Sequence, residues 1–383
     1  MTEYEIKVSK RIRNKIFGGK QVFTINEVQK REYPVGSLVK LVCGNKFVAW
    51  ATINPKNPKH YIRILSTEKD YDLYSDIVNK LKIAQRYRDK IGYSRHYRWV
   101  YSESDFLSGL IVDKFENIIV IQNTNPYFDK NINIIKEAIL DVGKNVETIY
   151  EKSVGKNREK EWLPPKERIL YGSKTRTTIK EGGKKFIVDV KSGQKTGWFL
   201  DQRENRSIVK KFVYGKTLDA FSYTGSFGII SSDKADELWF LEKNRSSVEV
   251  LIENLKINGI DNAKVLNTNA YLVLKKFSAE NRKFDVVILD PPDLLSENYK
   301  KGIRSFILVN SMAIDLIKDG YLISFSCSQD LKEDKMFSIL RTLIRRKSRR
   351  FELISRLHQA FDHKVIFPHK ELEYLKGFVL HIW

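Results

Sequence analysis

The 383-residue sequence predicts an α/β fold for its C-terminal half, and three observations support this. Beyond about residue 186, strand-like and helix-like segments alternate, which is typical of a mainly parallel sheet with crossover helices. Helical segments end at glycine, as residues 246–257 do before Gly259. The last two strand-like segments, residues 351–357 and 377–382, have no helical pattern between them. We therefore expect these two strands to pair as a hairpin at the edge of a seven-stranded sheet.

Length and composition limit the class of protein. A chain of this length favours two or three domains. It has no apolar run of about 18 residues that could span a bilayer and no apolar segment typical of a secretory signal. Cys43 and Cys327 lie far apart, and there is no Cys-x-x-Cys motif. We expect a cytoplasmic protein with no structural metal and no membrane partner, and the composition leaves a homodimer possible.

The charge balance predicts a polyanionic partner. Lysine and arginine number 68 against 47 acidic residues, a net charge of +21. Such an excess attracts the phosphates of nucleic acids. A lysine-rich genome is the alternative, although glutamate usually rises together with lysine in that case. The basic run at residues 341–350 would contact phosphates or form the polar side of a surface helix.

Two smaller domains are expected before the α/β domain, which we place at residues 186–383. Residues 1–72 contain short strand-like runs separated by glycine and proline, which predicts a small β-barrel. Residues 73–185 combine helical patterns with a hairpin and predict a compact α+β domain. The first predicted turn of the barrel carries three candidate RNA contacts, for which a merely solvated face is the alternative: Lys10, Arg11 and Arg13.

The turn after the first strand of the α/β domain is a candidate cofactor site. Gly225 and Gly228 let the backbone approach a ligand, but the glycine patterns that bind diphosphates are absent. This favours S-adenosylmethionine. Glu242 follows Asp219 at close to the spacing of about 20 residues at which an acidic residue binds ribose hydroxyls, and capping of the next helix is the alternative. Asn269 would bind the adenine edge or form a turn. The candidate cofactor residues are Asp219, Phe221, Ser222, Tyr223, Thr224, Gly225, Glu242, Asn269 and Asp290.

Two strand ends carry a candidate reacting centre. Asp290 ends one buried strand and Cys327 another, and ligands of open α/β sheets lie outside these carboxyl ends. Carbon 5 of cytosine is too weak a nucleophile to accept a methyl group unaided. A thiolate that adds to C6 makes C5 reactive, and an acidic group near N3 stabilises the developing charge. The pattern from Asp330 to Glu333 predicts a helix start whose dipole would favour the Cys327 thiolate, although an isolated cysteine is often a small buried hydrophobe.

Neighbouring residues give candidate contacts to a base that is flipped out of its stack. These candidates are Pro291, Pro292, Ser326 and Ser328. The Asp-Pro-Pro run is also typical of methyltransferases that act on base nitrogens, but Asp293 and Leu294 stand where those enzymes have an aromatic residue. A base-nitrogen methyltransferase and a non-catalytic RNA-binding assembly factor are therefore the alternative functions.

Six motifs carry a family resemblance. They are Gly193-Gln-Lys-Thr-Gly-Trp-Phe-Leu-Asp-Gln-Arg-Glu-Asn-Arg206, Gly109-Leu-Ile-Val-Asp113, Phe221-Ser-Tyr-Thr-Gly225, Leu289-Asp-Pro-Pro292, Phe325-Ser-Cys-Ser328 and Glu373-Tyr-Leu-Lys-Gly377. With them, the chain resembles the PUA-domain-containing class I 23S rRNA methyltransferases of the large-subunit rRNA methyltransferase I type, which make 5-methylcytosine. The resemblance implies a PUA barrel, a central EEHEE domain, a Rossmann-like catalytic domain, S-adenosylmethionine as cofactor and rRNA as partner.

The resemblance also implies roles for individual residues. Cys327 matches the family's nucleophile and Asp290 its catalytic-loop aspartate. A loop that closes over cofactor and target is matched by Asp201, Gln202 and Arg203. Arg203 could equally hold that loop in place. The chain departs from the family pattern at Asn269, where aspartate is usual, at Asp293-Leu294 and at Lys364, where proline is usual.

Overall fold

The structure is a computed structural model that describes residues 4–383, which divide into two compact units. The first three residues of the predicted domain 1–72 lie outside this range. One unit comprises the described residues up to Thr177 together with Val188–Trp198 and Phe361–Leu372. The other comprises Thr178–Ile187, Phe199–Ala360 and Glu373–Trp383. Segments distant in sequence therefore fold into each unit.

The first unit begins with a five-stranded sheet and one helix. The elements are β1 (Tyr4–Lys7), α1 (Lys10–Phe17), β2 (Val22–Phe23), β3 (Ser37–Cys43), β4 (Lys46–Ile53) and β5 (Ile62–Ser66), with the strand order β1-β3-β4-β5-β2. Ser9 caps α1 by accepting a hydrogen bond from the Ile12 amide at 3.3 Å, and Ile12 and Ile16 are buried one turn apart. The prediction of a turn that carries Lys10, Arg11 and Arg13 is thus wrong, because this serine cap and apolar spacing form a helix.

A second sheet completes the first unit. Its elements are α2 (Leu73–Lys90), β6 (His96–Tyr101), β7 (Leu110–Phe115), β8 (Ile118–Asn123), α3 (Pro126–Lys130), α4 (Ile132–Val142), β9 (Thr148–Ser153), α5 (Lys156–Glu159) and β10 (Lys166–Tyr171), with a 3-10 helix at Ser102–Asp105. The strand order is β10-β9-β8-β7-β6, and only β8 and β9 pair in parallel. Helices α2 and α4 contribute buried apolar residues, among them Leu81 and Ile139, to the core on this sheet.

A segment near the C-terminus, which we call the strap (Phe361–Leu372), belongs to the first unit. Buried charges anchor it. Arg88 donates to both carboxylate oxygens of Asp105, at 2.6 and 2.7 Å, and to the carbonyl of Asp362 at 2.9 Å. The Arg98 amide donates to the Asp362 carboxylate at 2.8 Å. Because these groups are desolvated, pairing is what allows them to be buried.

The second unit contains a seven-stranded sheet. Its elements are α6 (Arg203–Val209), β13 (Gly215–Ala220), α7 (Ser226–Ile230), β14 (Ala235–Glu242), α8 (Arg245–Ile257), β15 (Ala263–Asn267), α9 (Ala270–Ala279), β16 (Phe284–Leu289), α10 (Tyr299–Asp315), β17 (Ile317–Ser326), α11 (Glu333–Arg346), β18 (Phe351–His358) and β19 (Lys376–Ile382). A short 3-10 helix covers Leu200–Gln202, and a two-stranded hairpin precedes the sheet in sequence as β11 (Arg176–Glu181) and β12 (Lys184–Asp189). A further 3-10 helix, Lys370–Leu372, belongs to the strap of the first unit.

The order β15-β14-β13-β16-β17-β19-β18 confirms the predicted α/β class. The first five strands of this order pair in parallel, and β19 runs antiparallel to β17 and β18. Buried residues of β16 and of helices α10 and α11, such as Val287, Phe306 and Leu340, form the core. The two last strands pair as expected, but residues 359–375 between them include the strap rather than a tight turn.

Candidate functional site

The loop between β13 and α7 has a strained backbone. Phe221 and Tyr223 have φ angles of 63° and 50°, which residues other than glycine rarely adopt. Gly225 has a φ of 83°, and a Cβ there would lie 2.1 Å from Leu251 Cδ1. At Gly228 a Cβ would lie 2.4 Å from the Phe240 ring. A side chain at either glycine would clash with these neighbours, so this conformation of the loop requires both glycines.

Glu242, at the end of β14, is hydrogen-bonded to the backbone of this loop. Its Oε2 accepts a hydrogen bond from the Tyr223 amide at 2.9 Å, and its Oε1 accepts one from the Asn244 amide at 2.7 Å. The second contact is the helix-capping alternative of the sequence analysis. Each carboxylate oxygen can accept a further bond. Glu242 can therefore cap the backbone and still bind hydroxyl groups.

Asp219, on β13, is completely enclosed. Its Oδ2 accepts a hydrogen bond from the Gly228 amide at 3.0 Å. Burial, together with the negative charges of Asp290 and Glu242, raises the pKa of this carboxyl to about 8, although the Gly228 hydrogen bond acts in the opposite direction. Asp219 is consequently mainly protonated at neutral pH and fixes the turn from behind.

The other predicted cofactor residues differ in whether their polar groups already have hydrogen-bond partners. The Asn269 side chain accepts a hydrogen bond from the Tyr271 amide at 3.0 Å and caps α9, so the turn-forming alternative is present. Ser222 donates its amide to the Leu241 carbonyl at 3.1 Å. The buried Thr224 Oγ1 and Asp219 Oδ1 have no hydrogen-bond partner among residues 4–383. Buried polar atoms of this kind usually pair with a ligand or with water, so the loop suits a polar ligand.

Asp290 and Cys327 leave neighbouring strands at the same edge. Strands β16 and β17 are parallel, with Leu289 opposite Ser324, so both chains continue past the sheet side by side. Asp290 Oδ2 accepts a hydrogen bond from Gln202 Nε2 at 3.1 Å. The Cys327 side chain is partly exposed. The structure thus brings this carboxyl and this thiol to one edge of the sheet, with the thiol accessible from outside.

The residues around Cys327 hold the turn after β17. Ser326 Oγ accepts a bond from the Ser328 amide at 3.4 Å, and Ser328 Oγ accepts one from the Asp330 amide at 3.3 Å. Helix α11 begins only at Glu333. A helix dipole acts within the first turn, so the prediction that Cys327 lies at a helix N-terminus is wrong.

Lys376 is a further site residue, which was not predicted from the sequence. It is buried on β19 and lies opposite Ser326. Its ammonium donates hydrogen bonds to the carbonyls of Ser328 and Leu331, the latter at 2.8 Å. Burial lowers the pKa of Lys376, the charge of Lys332 lowers it further, and negative charge on Cys327 acts in the opposite direction. The sequence signals of Lys376 are its position beside the apolar run of the last strand and its place in the motif Glu373–Gly377.

The segment from Asp201 to Arg203 lies against the same edge. Asp201 Oδ2 accepts a hydrogen bond from the Tyr374 hydroxyl at 2.5 Å, and its carbonyl accepts one from Ala360 at 2.9 Å. Gln202, which binds Asp290, also accepts a bond from Asn205 Nδ2 at 2.6 Å. Arg203 is half-buried at the start of α6. Hydrogen bonds to Tyr374 and Ala360 thus fix Asp201, and hydrogen bonds to Asp290 and Asn205 fix Gln202.

The remaining predicted residues divide between the two units. Pro291 is buried and Pro292 exposed just beyond Asp290. Lys10, Arg11 and Arg13 are exposed on α1 of the first unit. Across residues 4–383 there is no group of three histidine, cysteine or acidic side chains that could hold a metal ion. In the same range, no helix combines the length and the apolar character that crossing a bilayer requires.

Comparisons with known proteins point to one family. A family model described as conserved hypothetical protein 95 matches residues 205–352. A putative ribosomal RNA large subunit methyltransferase of Methanocaldococcus jannaschii is 36% identical over 334 residues, 85% of each chain. The ribosomal RNA large subunit methyltransferase I of Shewanella frigidimarina is 30% identical over 336 residues, 84% of each chain.

Solved structures share the fold. A putative SAM-dependent methyltransferase from Streptococcus mutans has a TM-score of 0.82 at 19% identity and covers 99% of this chain and 100% of its own. A putative methyltransferase complexed with SAH has a TM-score of 0.84 at 18% identity, with the same coverage. At these sequence identities the similarity shows a shared fold and nothing more.

The raised pKa of Asp219 predicts a pH-dependent effect of Asp219→Asn. Burial favours the protonated acid, so the contribution of this group to stability is complete below about pH 4 and is lost as the pH rises through about 8. Asparagine cannot ionise and can still accept from the Gly228 amide. Urea unfolding should therefore show the stability of the variant, relative to the original chain, increasing from about pH 4 to about pH 8.

The control is Asp233→Asn. A hydrogen bond from Lys210 lowers the pKa of Asp233, so its contribution is lost at low pH instead. The relative stability of Asp233→Asn should therefore stay nearly constant from about pH 4 to about pH 8 and change only at lower pH. A stability difference for Asp219→Asn that stays constant with pH would contradict the raised pKa.

Proposed function

Since this chain belongs to the family of ribosomal RNA large subunit methyltransferases of type I, we propose that it methylates carbon 5 of a cytosine in large-subunit rRNA. The observation that carries this proposal is the shared sheet edge of Asp290 and Cys327. A carboxyl and an accessible thiol in one place are what C5 methylation requires. The net charge of +21 suits an RNA substrate.

The protein uses S-adenosylmethionine, which supplies the methyl group. The strained β13–α7 loop suits this polar cofactor because Thr224 Oγ1 and Asp219 Oδ1 are buried without a hydrogen-bond partner among the described residues. We assign the ribose hydroxyls to Glu242, whose oxygens have acceptor capacity beyond their two backbone contacts. Asn269 lies at the next strand end and is assigned to the adenine edge. Asp219 acts on the cofactor through the Gly228 turn.

The chemistry on the base begins at Cys327. Its thiolate adds to C6 of the flipped cytosine, so that an S–C6 bond forms and the electrons of the C5–C6 double bond become available at C5. Asp290 acts as the carboxylic acid and donates its proton to N3, which neutralises the negative charge that develops there. After C5 has accepted the methyl group, a water molecule takes the C5 proton and the S–C6 bond breaks. The C5–C6 double bond re-forms, the thiolate is released, and N3 returns its proton to Asp290.

Two residues position these groups. Lys376 places a cation beside Cys327 and so favours the thiolate, a role that the distant start of α11 cannot fulfil. Its bonds to the carbonyls of Ser328 and Leu331 also fix the turn after β17. Gln202 donates to Asp290 and orients its carboxyl.

Methylation of a base nitrogen has less support. That reaction needs an aromatic residue after the Asp-Pro-Pro run, on which the target base can stack. Here the position is Asp293, an exposed residue whose Oδ1 accepts a hydrogen bond from the Leu295 amide at 3.0 Å. The side chain is used to form a turn. A thiol mechanism accounts for Cys327, whereas nitrogen methylation leaves it without a role.

Cys327→Ala should retain S-adenosylmethionine binding and lose methylation, because the thiol contacts the base and not the cofactor. Calorimetry measures binding, and mass spectrometry of nucleosides from deproteinised rRNA of a deletion strain measures 5-methylcytosine. Cys43→Ala, on β3 of the first unit, is the matched control and should remain active. Methylation by Cys327→Ala would exclude the thiol mechanism. Failure of the unmodified chain to bind the cofactor would favour the RNA-binding assembly factor.

Lys376→Met should shift the reaction of Cys327 with iodoacetamide to higher pH, because the thiolate loses a nearby cation. Opposite charges at close range typically change such a midpoint by about 1–3 pH units. The measurement is the alkylation rate against pH in a Cys43→Ala background, and Lys376→Arg, which keeps the charge, should stay near the unmodified profile. Identical profiles for the methionine and arginine variants would limit Lys376 to holding the turn.

A further inference from the structure

The strap has an inverted distribution of side chains. Its polar residues Asp362, His363 and His369 are buried. Its aromatic residues Phe361 and Phe367 are 62% and 70% exposed. Apolar surface is normally buried on folding, and clusters of exposed apolar residues mark interaction sites. The anchoring of this segment therefore holds two aromatic rings in solvent.

The anchoring contacts make this arrangement rigid. The buried Asp362 is bound through its carboxylate by the Arg98 amide and through its carbonyl by Arg88. At the other end of the strap, His369 Nε2 accepts a hydrogen bond from the Gln21 amide at 3.0 Å. A ligand that binds the rings pays little ordering entropy, because the backbone that carries them is already fixed.

Cations lie beside the exposed rings. The Lys370 ammonium is 5.3 Å from the centre of the Phe367 ring. The Lys364 ammonium is 4.8 Å from the Tyr87 ring, and the Tyr87 hydroxyl donates to the Phe361 carbonyl at 3.0 Å. Lys370 therefore places positive charge beside the Phe367 ring, whereas Lys364 is also paired with Asp105 at 2.9 Å and helps to anchor the strap.

Helix α1 extends the same surface. A Cβ at Gly19, just past its end, would lie 2.9 Å from the Phe367 carbonyl, so the helix end and the strap are in contact. Phe17, in the last turn, is 58% exposed, and the Arg13 guanidinium lies 5.2 Å from its ring. We call Phe17, Phe361 and Phe367 with Arg13 and Lys370 the aromatic–basic surface.

We infer that the aromatic–basic surface binds unpaired nucleotides of the rRNA substrate, an inference that rests on the proposed function. Unpaired bases offer their faces to aromatic rings, and their phosphates pair with the adjacent cations. A duplex keeps its base faces stacked inside and so cannot use the rings. A second copy of a chain with a net charge of +21 is a poorer match than a polyanion.

The test uses the full chain and a fluorescein-labelled oligouridine of about 12 nucleotides, within the usual range of single-strand site sizes. The double variant Phe361→Ala/Phe367→Ala should bind it about tenfold more weakly by fluorescence anisotropy at constant salt, the effect expected from lost stacking. Binding of an RNA duplex of equal length should not change. Phe361→Tyr/Phe367→Tyr, which keeps both rings, should bind like the unmodified chain.

Trp162→Ala is the control for exposure alone. Trp162 is 66% exposed with the Lys56 ammonium 5.7 Å from its ring, but it lies outside the surface. Unchanged oligouridine binding by the double alanine variant would overturn the inference, as would an equal loss in Trp162→Ala or a dimer that only the double variant dissociates. Because the assay contains no cofactor, its outcome is independent of the Cys327 measurement.

Discussion

The parallel pairing of β16 with β17 is the constraint on which the site depends. Parallel neighbours end at the same edge of a sheet, so Asp290 and Cys327 emerge together although a helix of 17 residues separates their strands in sequence. Pairing of β13 with β16 brings the strained loop at Phe221 to the same edge. The buried core of the sheet fixes the positions of these strand ends. The loops that follow them then present the Asp290 carboxyl and the Cys327 thiol.

Around that edge, the chain uses buried polar groups to set positions rather than to react. Asp219 is protonated and holds the Gly228 turn, while Gln202 orients Asp290. Lys376 binds two carbonyls of the turn after β17. Each of these groups is desolvated and paired, so its geometry is costly to change. This is the preorganisation that an active site needs, because the reacting groups then require no rearrangement.

The sequence was sufficient to predict the class of the sheet. It was insufficient to predict contacts between segments that are distant in the chain. The alternation of strand-like and helix-like segments predicted the α/β class, and the last two strand ranges, 351–357 and 377–382, lie within one residue of β18 and β19. Helix α1 was missed, since its apolar spacing of Ile12 and Ile16 is hidden among charges. Asp330 was taken as the start of a helix that begins at Glu333. The position of Lys376 beside the turn after β17 follows from the antiparallel register of β17 and β19, and no local sequence pattern predicts that register.

The central claim is that Cys327 forms a bond to C6 of the target cytosine, and trapping that bond tests it most directly. An rRNA substrate that contains 5-fluorocytidine has no proton to lose at C5, so the thiolate cannot leave after methyl transfer. With S-adenosylmethionine present, mass spectrometry of digested protein should find a methylated nucleotide attached to Cys327. A methylated RNA without any adduct on that cysteine would contradict the account.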